Sequence, residues 1–216
     1  MSMPLPRTLH GFFRSGASWR VRIALNLKGL GVGHIAHHLR RGEQKHEFYL
    51  RINPQGLVPS LEIADGRILT QSLAIIEWLE ENWPEPPVLP TSSFQRAQVR
   101  AFALSIACDV HPLQNIGVLA RLSGLGLSDA DVQLWVQQTC LNGLLACQAL
   151  LPTAETTFLF GEFPTLADIC LIPQIGNARR FGTDLSSLPR LLAVEAACNA
   201  LPAFAAALPA NQQDAE

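Results

Sequence analysis

The stretch RSGASWRVRIALNLKG, residues 14–29, joins a turn of small residues directly to a helical pattern. From Trp19 to Lys28 the apolar side chains recur at the spacing of a helix, and Gly29 ends the pattern. A helix that opens on serines and a glycine has free backbone N–H groups in its first turn and room for a ligand to approach them. The stretch therefore predicts a helix whose beginning is open to a ligand.

The residues on both sides of this helix alternate between strand and helix patterns. Short apolar runs predict four strands, and Asp65 with Gly66 joins the last two as a hairpin. Two further segments have the spacing of helices. We therefore expect an α/β N-terminal domain. Its predicted strands are 8–13, 34–39, 57–63 and 67–70, and its other helices are 43–51 and 71–82.

The proline-rich segment WPEPPVLP, residues 83–90, predicts a linker because so many prolines exclude a helix. Beyond it the patterns predict only helices, one of them opened by Thr165 and Asp168 at the spacing of a capping box. The predicted domains are therefore an α/β domain at 1–83, a linker at 84–93 and an all-helical domain at 94–216. The predicted helices are 94–122, 128–151, 165–181 and 188–208, and residues 211–216 are expected to be frayed.

The composition is that of a globular protein, with 48% hydrophobic and 16% charged residues. A formal net charge of −2 argues against a nucleic-acid partner, and no apolar run is long enough to span a membrane. The N-terminal residues show no secretory signal pattern. The five cysteines predict buried free thiols in a reducing cytoplasm, without the ligand spacing of a metal site.

Two short motifs in the first domain allow either a structural or a binding role. Pro59 in LVPSL is an ordinary edge proline, or a cis proline that turns the backbone of Val58 toward a peptide-like ligand. Ser72 in TQSLAIIEWLEE is a helix N-cap, or it marks a helix start that binds a ligand carboxylate. The residues alone leave both pairs of alternatives open.

Several segments together resemble the zeta class of glutathione transferases, in the branch of bacterial maleylpyruvate and maleylacetoacetate isomerases. They follow one order along the chain: RSGASWRVRIAL, NPQGLVPSL, QSLAIIEWLEE, the proline linker, CDVHPLQN and PTLADICLIPQ. The resemblance covers nearly the whole chain. It implies a thioredoxin-like N-terminal domain, an all-helical C-terminal domain, glutathione as the cofactor and a homodimer.

By this resemblance Ser15 is the serine whose hydroxyl hydrogen-bonds the sulfur of glutathione. A hydroxyl donor at a helix N-terminus favours the thiolate of a thiol whose free pKa is about 8.5. A simple helix cap is the structural alternative for Ser15. The class more often reads SSCSWR where this chain reads SGASWR, so a second serine and a cysteine are missing. The other implied glutathione contacts are Gln44, Val58, Pro59, Gln71, Ser72, His111 and Asn115.

The implied substrate is a cis dicarboxylic acid, and arginines suit its two carboxylates. The candidates are Arg14, Arg179 and Arg180, and the resemblance favours Arg179 slightly over its neighbour. Two cations at a helix end that merely complement the helix dipole are the structural alternative. We expect Arg20 and Arg22, in contrast, to form a solvated or salt-bridged helix face.

The resemblance implies a glutathione-dependent isomerase that converts a maleyl acid to its fumaryl form in the breakdown of aromatic compounds. The thiolate adds to the double bond, the resulting single bond rotates, and loss of the thiolate gives the trans product. A transferase that conjugates or dehalogenates α-halo acids is the first alternative. A glutathione-binding module without turnover is the second.

Overall fold

The computed structural model describes residues 5–216, and their contacts divide the chain into two units. The first unit contains the residues up to Pro87 together with Leu201–Glu216, and the second contains Val88–Ala200. The predicted domain boundaries at 83 and 93 stay a prediction, and residues 1–4 of the predicted first domain lie outside the described residues. We call Leu201–Glu216 the returning segment, because it brings the chain back to the first unit.

The first unit is built on a four-stranded mixed sheet with the order β2-β1-β3-β4. β1 pairs in parallel with β2 and antiparallel with β3, which in turn pairs antiparallel with β4. Its strands are β1 (Pro6–Gly11), β2 (Gly33–Ala36), β3 (Ser60–Ile63) and β4 (Ile68–Thr70). Its helices are α1 (Gly16–Leu27), α2 (Glu47–Ile52), α3 (Ser72–Asn82) and, in the returning segment, α9 (Pro202–Ala207).

Two histidines are buried in the first unit beside the sheet. His10 of β1 and His37 join Nδ1 to Nε2 at 3.0 Å, and their rings stack with centroids 5.3 Å apart. Burial, with a smaller contribution from His10, lowers the pKa of His37 to about 4. Because one nitrogen of the pair must accept the hydrogen bond, at least one ring is neutral.

The second unit is helical and centres on α7 (Leu166–Arg180), which is buried along most of its length. Asp168, in the first turn of α7, forms the predicted capping box with Thr165: its carboxylate accepts hydrogen bonds from the Thr165 backbone N–H at 2.7 Å and from the Leu159 N–H at 3.0 Å. The other helices are α4 (Ser93–Leu104), α5 (Ile116–Gly124), α6 (Asp129–Ala149) and α8 (Pro189–Asn199).

Several predicted elements are shorter or more divided than the sequence patterns indicated. The predicted strand 8–13 ends at Gly11, and α1 begins at Gly16 rather than Trp19 because Ser15 caps it. The predicted helix 43–51 is a 3₁₀ turn followed by α2. The predicted helix 94–122 breaks at Ser105–Val110 and Pro112, and the helix 188–208 breaks before Pro202, because proline lacks the N–H that continues a helix.

Arg20 and Arg22 do not form the expected solvated face of α1. Their exposed fractions are 2% and 6%, and each guanidinium contacts polar groups inside the first unit. Lys28 at the end of the helix is buried too, and its Nζ lies 2.5 Å from a Glu80 carboxylate oxygen on α3. α1 is therefore tied to its surroundings by buried cations, and the amphipathic pattern of the sequence does not reveal this.

Within residues 5–216, no helix combines the length and the apolar character that crossing a membrane requires. The same residues contain no group of three or more acidic, histidine or cysteine side chains placed to hold a metal ion. The prediction of five buried thiols is wrong for Cys108, which is exposed on the irregular segment before Pro112; the other four cysteines are buried, and all five are free thiols.

Candidate active site

Ser15 lies at the N-cap of α1, where its hydroxyl oxygen has one hydrogen-bond partner among residues 5–216. The Ser15 Oγ accepts a hydrogen bond from the Ser18 backbone N–H at 3.2 Å. Accepting that bond uses a lone pair and leaves the hydroxyl proton available for a second partner. The side chain is half-buried. The cap and the donor role, weighed as alternatives from the sequence, are thus compatible in one conformation.

Two side chains fix the backbone carbonyl of Leu57, two residues before Pro59. The Leu57 carbonyl accepts hydrogen bonds from the Tyr49 hydroxyl and from Asn53 Nδ2, both at 2.7 Å. The Val58–Pro59 peptide bond is cis. No hydrogen bond within the described part of the chain engages the backbone N–H or C=O of Val58. An extended ligand can therefore pair with both groups.

Gln44 and Gln71 lie against the same tight turn, at Gln55 and Gly56. Gln71 Nε2 donates to Gln55 Oε1 at 3.0 Å. Gly56 has a φ of +60°, and a Cβ placed there would come within 2.9 Å of the Gln44 carbonyl oxygen, so only glycine fits. The Gln44 side chain is buried, and its Oε1 has no hydrogen-bond partner among the described residues. A buried amide oxygen without a partner is suited to a ligand donor.

Gln71 and Ser72 begin α3 in an unusual conformation. Gln71 occupies the N-cap with a φ of +67°, which is rare for a residue with a side chain. Ser72 is the first helical residue rather than the N-cap that one sequence alternative proposed, and its Oγ accepts a hydrogen bond from Arg20 at 3.4 Å. With no side chain capping the helix start, its N–H groups and dipole favour a carboxylate.

The remaining predicted contacts belong to the second unit. His111 begins a 3₁₀ turn and is half-buried, and Asn115 is the N-cap of α5 without a side-chain capping bond. Between them, the turn is fixed by Gln114, whose Nε2 donates to Gln174 Oε1 at 2.7 Å.

A buried polar network surrounds Gln114, and no motif or spacing in the sequence predicts it. Gln114 Oε1 accepts hydrogen bonds from the Asn177 amide and from the Cys140 thiol, and Gln174 contacts the same thiol at 3.4 Å. Burial raises the pKa of Cys140 to about 11, so the thiol stays protonated and acts as a donor rather than as a nucleophile. The network fixes the last turns of α7.

The two arginines at the end of α7 differ in their surroundings. Arg179 forms an ion pair with Glu195 of α8, its NH2 lying 2.6 Å from the carboxylate, and this hydrogen bond raises its pKa. Arg180 donates to Asn177 Oδ1 and lies over the Phe181 ring, 4.8 Å from the centroid. Arg180 is therefore joined to the Gln114 network, and Arg179 is paired with Glu195. Arg14, the third candidate, lies over the Phe13 ring at 4.8 Å.

The first-unit residues form a donor and acceptor set that suits a thiol-bearing peptide with a free carboxylate. Ser15 offers a hydroxyl proton at a helix N-terminus, Val58 an unpaired peptide group, and the start of α3 a site for an anion. Gln44 adds an unpaired amide oxygen. Glutathione carries the complementary groups: a thiol for Ser15, peptide groups for Val58 and Gln44, and a free carboxylate for the start of α3.

Comparison with known proteins identifies the family to which the chain is similar. Residues 9–87 match the family of the glutathione S-transferase N-terminal domain. A maleylpyruvate isomerase from a Ralstonia species is 44% identical over 209 residues, which cover 95% of this chain and 98% of that protein.

Two solved structures match almost the whole chain. A holo maleylpyruvate isomerase, described as a bacterial zeta-class glutathione S-transferase, is 43% identical with a TM-score of 0.94 and covers 97% of this chain and 100% of its own. A maleylacetoacetate isomerase from Anaeromyxobacter dehalogenans has dicarboxyethyl glutathione and citrate in its active site. It is 40% identical with a TM-score of 0.89, and the match covers 100% of this chain and 96% of that one. The chain therefore belongs to the glutathione transferase family, in the zeta-class branch of maleylpyruvate and maleylacetoacetate isomerases.

Proposed function

We propose that this protein is a glutathione-dependent isomerase that converts a maleyl-type dicarboxylic acid, maleylacetoacetate or maleylpyruvate, to its fumaryl form. The observation that carries the proposal is the Ser15 hydroxyl, which accepts from the Ser18 N–H and so keeps its proton for a sulfur atom. The names of relatives 40–44% identical over most of the chain support the same reaction.

When bound, glutathione supplies a thiol that adds reversibly to the double bond of the acid and allows it to rotate. Ser15 donates a hydrogen bond to this sulfur, and the N-terminal dipole of α1 favours its anionic form. The backbone of Val58 pairs with the peptide part of glutathione. Gln71, Ser72 and the N–H groups of α3 bind the γ-glutamyl carboxylate, and Gln44 accepts from an N–H group.

On the substrate side we assign the main carboxylate contact to Arg180. The assignment rests on the position of Arg180 over the Phe181 ring and on its contact with Asn177; its neighbour Arg179 is paired with Glu195. Arg180 is positioned through Asn177 by the buried network of the second unit. Arg14, next to Ser15 in the sequence, is a second candidate, and His111 and Asn115 complete the contacts that we propose from the helical unit.

The test is an ultraviolet assay with maleylpyruvate and with maleylacetoacetate, each with and without glutathione. We expect glutathione-dependent conversion of at least one acid, and the faster acid identifies the substrate. The variant Ser15→Ala should lower kcat/KM by roughly 10² to 10³, the usual cost of losing one donor to a developing anion. Ser15→Thr is the matched control, since it keeps the hydroxyl and the cap. Equal activity of the Ala variant would contradict the proposal.

A transferase acting on α-halo acids or other electrophiles is the second candidate. It is favoured by one feature of the sequence: between Asn115 and Arg121 there is no arginine to bind a second carboxylate. Release of halide from an α-halo acid in the presence of glutathione, without isomerisation of either maleyl acid, would support this function instead.

We further propose that the protein acts as a homodimer in the cytoplasm. Phe94 and Leu104 are exposed on α4, which supports a surface covered by a second copy. The five free thiols suit a reducing compartment. The molar mass in solution tests the assembly.

A further inference from the structure

The returning segment reaches the loop that carries Ser15. We call residues 12–15 the serine loop. Asp214 of the returning segment accepts a hydrogen bond from the Phe13 backbone N–H, the Oδ2–N distance being 2.9 Å. These two residues are 201 positions apart in the sequence. The prediction that residues 211–216 are frayed is therefore wrong at Asp214, which makes a specific hydrogen bond.

Arg22 joins the same two parts of the chain from α1. Its NH2 donates to the Phe13 carbonyl at 2.9 Å and to the Ala207 carbonyl at 3.1 Å, and its Nε donates to Ala207 at 3.2 Å. A third nitrogen lies 3.4 Å from the Phe12 carbonyl oxygen. Asp214 and Arg22 together hold both the N–H and the C=O of Phe13.

The charges of this arrangement complement each other. Burial lowers the pKa of Arg22 to about 10, and the nearby Asp214 carboxylate acts in the opposite direction. Arg22 therefore stays cationic at neutral pH, and its buried charge has a counter-charge nearby. The other oxygen of Asp214, Oδ1, is buried without a hydrogen-bond partner among the described residues, so the carboxylate is held in place mainly by Phe13.

The returning segment is joined to α1 at α9, where the Asn26 side chain donates to the Ala203 carbonyl at 2.9 Å. Gln212 Nε2 donates to the carbonyls of Ala206 and Leu208 at 2.9 and 2.8 Å and so closes the end of α9. Glu216 forms an ion pair with Arg41 at 3.0 Å. Asp214 therefore acts on the serine loop from a fixed support.

Movement of Phe13 would be transmitted to the reacting group. The Ser15 N–H donates to the Phe12 carbonyl at 3.0 Å, so the serine and the anchored residues form one turn. A small displacement of a catalytic group costs a large factor in rate. We propose that Asp214 and Arg22 are positioning residues, which set the place of the Ser15 hydroxyl and make the returning segment part of the catalytic apparatus. This inference rests on the proposed role of Ser15 toward glutathione.

The test compares Asp214→Ala with Asp214→Asn, because the amide oxygen of asparagine can still accept from Phe13. The thiolate absorbance of glutathione bound to each protein is followed against pH, together with kcat, KM and the melting temperature. For the Ala variant we expect the pH midpoint of the bound thiol to rise by about one unit and kcat to fall roughly tenfold, with KM for the acid nearly unchanged. In the Asp214→Asn variant the pH midpoint of the bound thiol should return close to that of the parent protein.

Gln213→Ala, at the exposed neighbouring position, is the matched control and should equal the parent protein. If Asp214→Ala does not fold, Arg22→Lys supplies the second test, since an ammonium cannot hold several carbonyls at once. A lower melting temperature with an unchanged midpoint and kcat would overturn the proposal and leave a structural role. A parent protein that binds glutathione as thiolate but isomerises neither acid would contradict the isomerase alone, while the titration would still test Asp214.

Discussion

Gln71 is the one non-glycine residue with a positive φ among residues 5–216. Such a conformation costs about 1–3 kcal/mol and persists only where the surrounding structure imposes it. It occurs where the chain turns into α3, next to the N–H groups that we assign to the γ-glutamyl carboxylate of glutathione. We infer that the side chain is kept there for binding, at a cost in stability.

Gln71→Gly should therefore change stability and binding in opposite directions. Glycine adopts the positive φ freely, so we expect the free energy of unfolding to rise by about 1 kcal/mol. Loss of the amide should weaken glutathione binding roughly tenfold. Calorimetric unfolding without ligand and titration with glutathione measure the two effects.

The matched control is Gln138→Gly, on the exposed face of α6. The same substitution inside a helix should lower stability by about 1 kcal/mol and leave glutathione binding unchanged. A Gln71→Gly protein that is less stable than the parent, or that binds glutathione equally well, would contradict the inference.

Among single residues, Ser15, Val58 and Gln71 could be proposed as site residues from the sequence, because each lies in a short motif with a local physical meaning. The sequence did not reveal Tyr49 or Asp214. These side chains accept from or donate to backbone groups of residues elsewhere in the sequence. Such contacts produce no periodicity or motif from which they could be predicted.

Among the elements, α7 carries the clearest contrast, because two adjacent arginines end it in different surroundings. Arg180→Met should lower kcat/KM for the maleyl acid roughly 100-fold, mostly through KM, since it removes the proposed carboxylate contact. Arg179→Met removes only an ion pair whose arginine is half exposed, and should cost less than about 1 kcal/mol of stability with little change in rate. Steady-state kinetics and thermal unfolding of both variants check this assignment.

The reverse result, a large loss of activity with Arg179→Met alone, would assign the substrate contact to the residue that the sequence resemblance favoured. Equal small effects of both substitutions would remove α7 from the substrate site.

The order and type of the elements were largely predictable, and the predicted fold class is confirmed by the family and structural matches. The failures have local causes. The helix predicted over 94–122 is interrupted around Pro112, and the one over 188–208 is interrupted at Pro202, because the apolar pattern continues through residues that cannot continue the hydrogen bonding. The predicted 43–51 helix is split at His46, whose extended backbone, with a ψ of +146°, ends the 3₁₀ turn and precedes α2.

Over the whole molecule, the buried pair of His10 and His37 predicts how stability depends on pH. The pKa of His37 is about 4 in the folded protein and about 6.5 when unfolded, so the unfolded chain binds the proton first as pH falls. The contribution of the neutral His37 ring to the free energy of unfolding is therefore present above pH 6.5, and it is lost progressively as the pH falls toward 4. Between pH 7.5 and pH 4 we expect protonation of this pair to lower the free energy of unfolding by roughly 3 kcal/mol.

Urea unfolding at pH 7.5, 6 and 5 measures the effect. His37→Gln should flatten the pH dependence, although it lowers stability at pH 7.5 by removing a buried ring. His46→Gln, at an exposed histidine that makes only the smallest contribution to the lowered pKa of His37, should keep most of the slope of the parent protein. A His37→Gln protein with the slope of the parent would show that other groups control the acid sensitivity.

The return of Leu201–Glu216 to the first unit separates the order of synthesis from the order of assembly. The ribosome makes β1, the serine loop and the whole second unit before Asp214 exists. At about 5–20 residues per second, this interval lasts on the order of 10 to 40 s. A nascent chain halted before residue 214 carries Ser15, Val58 and Gln71 but has no anchor for Phe13. The serine loop is therefore synthesised early, and the Asp214 side chain that anchors it is synthesised late.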